Sequence, residues 1–284
     1  MRVLVLGASG MLGNAIFRLY MNYNDLEVFG TVRNERSKQF FDDSAHSKLL
    51  TGIETNNIDS LVRILEKINP DAVINCIGLV KQNSQVDDPL EALPINSILP
   101  HRLARLCAIS GSRFIHMSTD CVFSGSKGMY SESDRSDATD LYGISKYLGE
   151  VDYPNAVTLR TSIIGHELEN NRSLVSWFLS QNKPVRGYTK AVFSGLPTVE
   201  IAHLIRNYVL PNNKLRGVYH VSSDPINKYD LLNLVAHAYG KNIPILPDDS
   251  VVIDRSLDSS RFRSMTGFKP KSWSNLVASM REFG

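Results

Sequence analysis

The apolar positions of this chain fall into short runs that alternate with stretches of helical period. Residues 3–6 are a continuous apolar run, as expected of a strand buried on both faces. Residues 11–20 read as a helix and 27–32 as a second strand. Helical periodicity returns at 61–68, with Asp59 and Ser60 as candidate caps, and a strand at 71–77 follows Pro70. An amphipathic helix spans 95–110 and is closed by Gly111. A strand at 113–117, a helix at 142–151 and a strand formed by 156–160 and 162–164 complete the series. Strand–helix alternation of this kind predicts an α/β fold, a doubly wound parallel Rossmann sheet with right-handed crossovers.

After Gly165 the rhythm changes. Residues 166–172 are polar and loop-like, and 173–181 form a short helix carrying Trp177 and Phe178. Helices are expected at 198–209 and 228–239 and a strand at 217–222, while Pro244, Pro247 and Pro270 interrupt the remainder. The expected organisation is a nucleotide-binding Rossmann domain over residues 1–163, to which residues 190–224 return. Residues 164–284 then form mainly a smaller, interleaved C-terminal lobe for substrate, covering the carboxyl ends of the strands.

Composition narrows the function classes. The 284 residues carry a net charge of +2, too balanced for a nucleic-acid or membrane-surface binder. No apolar run approaches the roughly 20 residues that span a bilayer, and the first strand begins at once with no signal-peptide pattern before it. Cys76, Cys107 and Cys121 are odd in number and lack Cys-x-x-Cys spacing. They read as reduced thiols of a cytoplasmic protein, with no metal site expected.

Two patterns carry chemistry. Gly7-Ala8-Ser9-Gly10-Met11-Leu12-Gly13 directly follows the first strand and opens the first helix. Gly7 permits the tight turn, Gly10 lets the backbone approach a pyrophosphate, and Gly13 allows close helix–sheet packing. The helix N-terminus then presents free N–H groups to phosphates. Between Val28 and Asn34 there is no acidic residue to hold ribose hydroxyls, whereas Arg33 suits a 2′-phosphate; NADP(H) is therefore expected over NAD(H). Cys76 and Gly78 end a further strand where the chain would pass beneath the cofactor, and Asn96 is expected to brace a loop.

The second pattern is Tyr142 and Lys146, which share a helix face after a strand ending in Ser118-Thr119-Asp120. An ammonium beside a phenol lowers its pKa, which suits proton exchange with an alcohol or ketone. Thr119, at the carboxyl end of a parallel strand, is placed to bond a substrate carbonyl.

These residues together resemble the extended short-chain dehydrogenase/reductase superfamily, and within it the dTDP-4-dehydrorhamnose reductase-like subgroup of sugar-nucleotide reductases. The resemblance is carried by STDCVFSG at 118–125, by Tyr130 with Glu132 and Asp134, by YGISK at 142–146 with Gly149-Glu150, and by LRTS at 159–162 and GLPT at 195–198. It implies an NADPH-dependent reductase of a nucleotide-linked keto-sugar, in surface polysaccharide or deoxysugar biosynthesis. Thr119, Tyr142 and Lys146 would be catalytic, and Tyr142 and Lys146 would also touch the cofactor. Thr119, Asp120, Arg186 and Arg255 are candidates to meet the substrate. The chain departs from the subgroup at Cys121, at Ser124 and in DRSLD at 254–258, all in segments that approach the substrate. A sugar-nucleotide epimerase or dehydratase of the same superfamily is an alternative, although the segment at 193–197 lacks the arginine epimerases often carry there. A non-catalytic NADP-binding regulatory subunit like that of methionine adenosyltransferase is another. A homodimer is left open.

Overall fold

The computed structural model describes all residues except positions 53, 55, 56, 82, 83 and 170, so one position of the polar 166–172 stretch lies outside the described residues. The first half runs β1 (Arg2–Leu6), α1 (Met11–Tyr20), β2 (Glu27–Thr31), β3 (Leu49–Leu50), α2 (Ile58–Ile68) and β4 (Ala72–Asn75). It continues with α3 (Pro89–Ala92), a π turn (Leu93–Ile98), α4 (Leu99–Ile109), β5 (Arg113–Thr119), α5 (Leu141–Leu148), β6 (Ala156–Thr161) and β7 (Ile163–Ile164). The second half holds α6 (Leu174–Ser180), β8 (Val185–Tyr188), β9 (Ala191–Phe193), β10 (Leu196–Pro197) and α7 (Thr198–Leu204). Then come β11 (Gly217–His220), β12 (Ile226–Asn227), α8 (Lys228–Tyr239), β13 (Ile245–Asp248), β14 (Ile253–Asp254), α9 (Ser260–Thr266) and α10 (Trp273–Phe283).

The central sheet is seven-stranded, in the order β11-β6-β5-β4-β1-β2-β3, and every pairing in it is parallel. This is the doubly wound Rossmann arrangement that the alternation predicts. Val3, Val5, Ile74, Ile115 and Val157 point to the face covered by α1 and α7. Leu4, Leu6, Val73 and Phe114 point to the face covered by α2 and α4. Both faces are dry, which is why the strands read as unbroken apolar runs. Strand order reverses between β1 and β4, and such a switch point opens a crevice at the carboxyl ends.

Several boundaries differ from expectation. Helix α2 is capped by Asn57, whose Oδ1 accepts from the Ser60 N–H at 3.3 Å, so Asp59 and Ser60 lie inside the helix. The helix expected from residue 95 begins at Pro89, because Asp88 caps it at the Leu90 N–H (2.9 Å) and proline suits the first turn. Its π turn swings Asn96 into the interior, where it is 1% exposed. The strand expected over 156–164 breaks at Ser162: β6 stays in the central sheet, while β7 pairs with β10. The proline-interrupted remainder holds α9, α10, β13 and β14.

Candidate active site

The switch-point crevice is built by three strand ends. After β1 the chain turns at Gly7, whose φ of +83° favours glycine. The Gly7 N–H donates to Thr31 Oγ1 at 2.9 Å, tying the turn to β2. Any side chain on Gly13 would strike the Gly7 carbonyl, so α1 leaves the turn as closely as backbone allows. Gly10 occupies the N-cap of α1 without a capping side chain, and the first turn carries no acidic residue. The first-turn N–H groups are thus left for an outside acceptor, which fits a dinucleotide pyrophosphate. Leu12 packs into the core, so it can serve such a ligand only through its backbone, and Ser9 and Met11 are half-buried beside it. Arg33, just past β2, is exposed and bonds to nothing among the described residues.

The end of β4 forms the floor. The Cys76 carbonyl lies 3.3 Å from the place a side chain on Gly7 would occupy, so Cys76 shapes the floor by its backbone; burial pushes its thiol up to about 12. A Cβ on Gly78 would stand 3.3 Å from Asn96 Oδ1 and 3.8 Å from Lys146 Nζ. Asn96 braces this loop as expected: its Oδ1 accepts from the Leu79 N–H at 2.9 Å and its Nδ2 donates to the Ser145 hydroxyl at 3.1 Å.

The third wall is β5 with α5. Asp140 caps α5 by accepting from the Gly143 N–H at 2.8 Å, and Gly143 packs flat on the Cys121 carbonyl after β5. This brings Tyr142 to Thr119 and Asp120. The Thr119 hydroxyl accepts from the Cys121 N–H at 3.1 Å and contacts Asp120 Oδ1 at 3.2 Å. Lys146 is 6% exposed and donates to the Met117 carbonyl at 2.7 Å. Burial lowers its pKa to about 8, against the pull of Glu150 and Cys76.

The expected lowering of the Tyr142 pKa by Lys146 is not what this geometry gives. Burial, helped by Cys121, Asp120 and Asp140, raises the phenol's pKa, and the Thr119 hydroxyl is what opposes the rise. The Lys146 ammonium is committed to the Met117 carbonyl. Tyr142 therefore stands as a phenol at neutral pH, protonated and ready to donate.

The wall toward the second half is cationic. Asp120 is buried, and burial raises its pKa against the attraction of Arg255 and Lys228. Arg255 is brought there by the 120–137 loop: its Nε donates to the Phe123 carbonyl at 2.8 Å and its chain packs on Gly125. The DRSLD segment is itself held by this loop, as the Tyr130 N–H donates to the Ser256 carbonyl at 2.9 Å and the Met129 N–H to the Ser256 hydroxyl at 2.8 Å. Sequence reasoning missed Lys228. Its ammonium sits 3.6 Å from the centroid of the Phe193 ring, and burial lowers its pKa to about 8. It is the first residue of α8, where the helix dipole disfavours a cation, and that anomaly was the available signal. Arg186 does not join the group: it is exposed on β8 and pairs with Asp248 at 3.2 Å. Phe178 is core, while Trp177 is partly exposed at the surface. Among the described residues no cluster of His, Cys, Asp or Glu could hold a metal ion, and no helix is long and apolar enough to cross a membrane.

A glycine turn at the switch point, opposed by a threonine, a tyrosine and a lysine on β5 and α5, defines a dinucleotide-fold protein with a Tyr-x-x-x-Lys site. A family model described as the RmlD substrate binding domain matches residues 1–282, and the chain belongs to that family. A dTDP-4-dehydrorhamnose reductase of Aggregatibacter actinomycetemcomitans is 23% identical, over 99% of both chains. The beta subunit of methionine adenosyltransferase 2 of Danio rerio is 28% identical over 86% of this chain and 75% of its own. The fold is that of a dTDP-4-dehydrorhamnose reductase of Bacillus anthracis solved in complex with NADP: TM-score 0.79, 19% identity, covering 99% of this chain and 97% of that one.

Proposed function

We propose that this protein is an NADPH-dependent reductase of a nucleotide-linked keto-sugar, acting in the cytoplasm in surface polysaccharide or deoxysugar synthesis. The observation that carries the reading is the convergence of Thr119, Tyr142 and Lys146 on one crevice, beside a glycine turn shaped for phosphates. The first-turn N–H groups of α1 would hold the pyrophosphate, Arg33 the 2′-phosphate, and Gly78 the space beneath the nicotinamide. When bound, the nicotinamide supplies a hydride to the keto carbon. Tyr142 donates its phenolic proton to the carbonyl oxygen, and the Thr119 hydroxyl bonds that oxygen and orients it. Lys146, charged below about 8, would hold the cofactor ribose with the ammonium protons that the Met117 carbonyl leaves free.

The test is NADPH oxidation against a panel of nucleotide-linked keto-sugars made in situ by a dehydratase. Turnover with one of them is expected. Interconversion of sugars with no net NADPH consumption would make the protein an epimerase. Arg33→Ala should raise the NADPH KM about 10- to 100-fold, the scale of a charge-assisted hydrogen bond, and leave that for NADH unchanged. The likeness to the methionine adenosyltransferase beta subunit favours a second reading, an NADP-binding regulatory subunit. Complex formation with a methionine adenosyltransferase, together with a silent sugar panel, would establish it.

A further inference from the structure

Behind the Tyr142–Lys146 wall lies a buried polar chain that the proton transfer does not use directly. Glu150 follows α5, one turn beyond Lys146. Its carboxylate takes both ends of the Arg160 guanidinium, Nε to Oε1 and Nη2 to Oε2, each at 2.7 Å, and both side chains are 5% exposed. The Ser118 hydroxyl donates to the same Oε1 at 2.7 Å. Arg160 Nη1 donates to His220 Nε2 at 3.1 Å, so His220 Nδ1 carries the proton given to the Tyr130 carbonyl at 2.9 Å. The backbone N–H of His220 donates to Glu132 Oε1 at 2.8 Å.

The peptide joining residues 117 and 118 is thus gripped from two sides. Its carbonyl accepts from Lys146, and the next side chain bonds Glu150. We propose that Glu150 is a positioning residue for the reaction, locking the end of β5 against α5 and setting a buried carboxylate one helical turn beyond the Lys146 ammonium. The groups facing Lys146 leave the counter-charge to Glu150. Tyr142 on its own helix is a phenol, and His116 on β5 is neutral, with burial first and then Lys146 holding its pKa well below the ordinary value. Cys76 beyond β4 is a thiol, and Asn96 on the π turn carries no charge. Arg160 takes up part of the Glu150 charge through a bidentate pair, yet Glu150 stands first among the groups that raise the Lys146 pKa.

The proposal rests on the reading of Tyr142 and Lys146 as the reacting pair, but its test needs no substrate, so a silent sugar panel leaves it standing. NMR titration of the Lys146 side chain is carried out on the unliganded full chain, wild type and Glu150→Gln. The variant should lose its lysine proton about one unit lower, and the alkaline limit of NADPH binding, followed by fluorescence, should move with it, a tenfold fall in the ratio of charged to neutral lysine at any given pH. An unchanged midpoint in a folded variant overturns the proposal. Glu150→Gln leaves a buried guanidinium without its counter-charge and is expected to lower the unfolding midpoint. Ser118→Ala, which keeps the Arg160 pair and cuts only the tie to β5, therefore serves as the second variant. Because Ser118→Ala keeps the Glu150 carboxylate, Lys146 should titrate there as in the wild type; a midpoint as low as that of Glu150→Gln would trace the shift to a loosened fold and overturn the proposal.

Discussion

The two walls of the crevice are built differently. On β5 and α5 the polar groups of the site have fixed partners: Lys146 on Met117, Thr119 on Cys121 and Asp120, and Ser118 on Glu150, which also pairs with Arg160 of β6. On the opposite wall Lys228 rests on an aromatic ring and Arg255 is anchored through Nε alone, both drawing on the buried carboxylate of Asp120. The first wall is preorganised, which is what transition-state stabilisation requires. The second keeps cationic donors free for whatever sits on it, which is what substrate choice requires. On the function proposed above, the difference would separate the reaction, held in rigid geometry, from specificity, held in side chains of the second half.

The largest effect should come from the rigid wall. Tyr142→Phe removes the donated proton while leaving the ring, and turnover of a competent keto-sugar should fall about 10²–10⁴-fold with little change in thermal unfolding. Near wild-type turnover would break the assignment. On the opposite wall Lys228→Met keeps the contact with Phe193 and discards the charge. It should raise the substrate KM about tenfold, the worth of roughly 1.4 kcal/mol, with kcat nearly kept; a fall in kcat alone would place Lys228 with the chemistry instead.

The preorganised wall also predicts a pH signature. His220 is held neutral by burial and by Arg160, its pKa lowered to about 4, and His116 is also lowered, by burial and by Lys146. Because the unfolded chain takes up these protons near pH 6.5, their contribution to stability is complete above that value. It should be lost as the pH falls from about 6.5 toward 4. Urea midpoints at pH 7 and pH 5 measure this, and equal midpoints would mean that the wall opens locally. The smallest effect belongs to Arg186→Ala. Its exposed pair with Asp248 is worth about 0–1 kcal/mol, and kcat/KM should change less than about twofold.

The motifs placed most of the first wall in advance, because each is local. The glycine turn needs only a strand before it and a helix after it, and Tyr142 and Lys146 share a face by helix period. Other family motifs prove to be braces: the Tyr130 hydroxyl accepts from the Gly125 and Lys127 N–H groups at 3.2 and 3.1 Å, and Glu132 receives the His220 N–H. What was illegible involved pairs far apart in sequence. Arg186 and Arg255 are both basic residues of the second half, and only the pairing of β8 with β13, against the docking of the 254–258 segment on the 120–137 loop, sends one to the surface and the other to Asp120.

The sequence by itself determined the parallel sheet, the phosphate-shaped turn and the identity of the Tyr–Lys pair, since these follow from short-range periodicity and from glycine's conformational freedom. Tertiary structure alone decided the directions in which the pKa values of that pair move. Burial raises the Tyr142 phenol and depresses Lys146, and the carboxylate that keeps the lysine charged is itself held by Ser118 on β5 and Arg160 on β6. Desolvation and long-range ion pairing depend on what the folded chain brings into contact, and no local pattern carries that information.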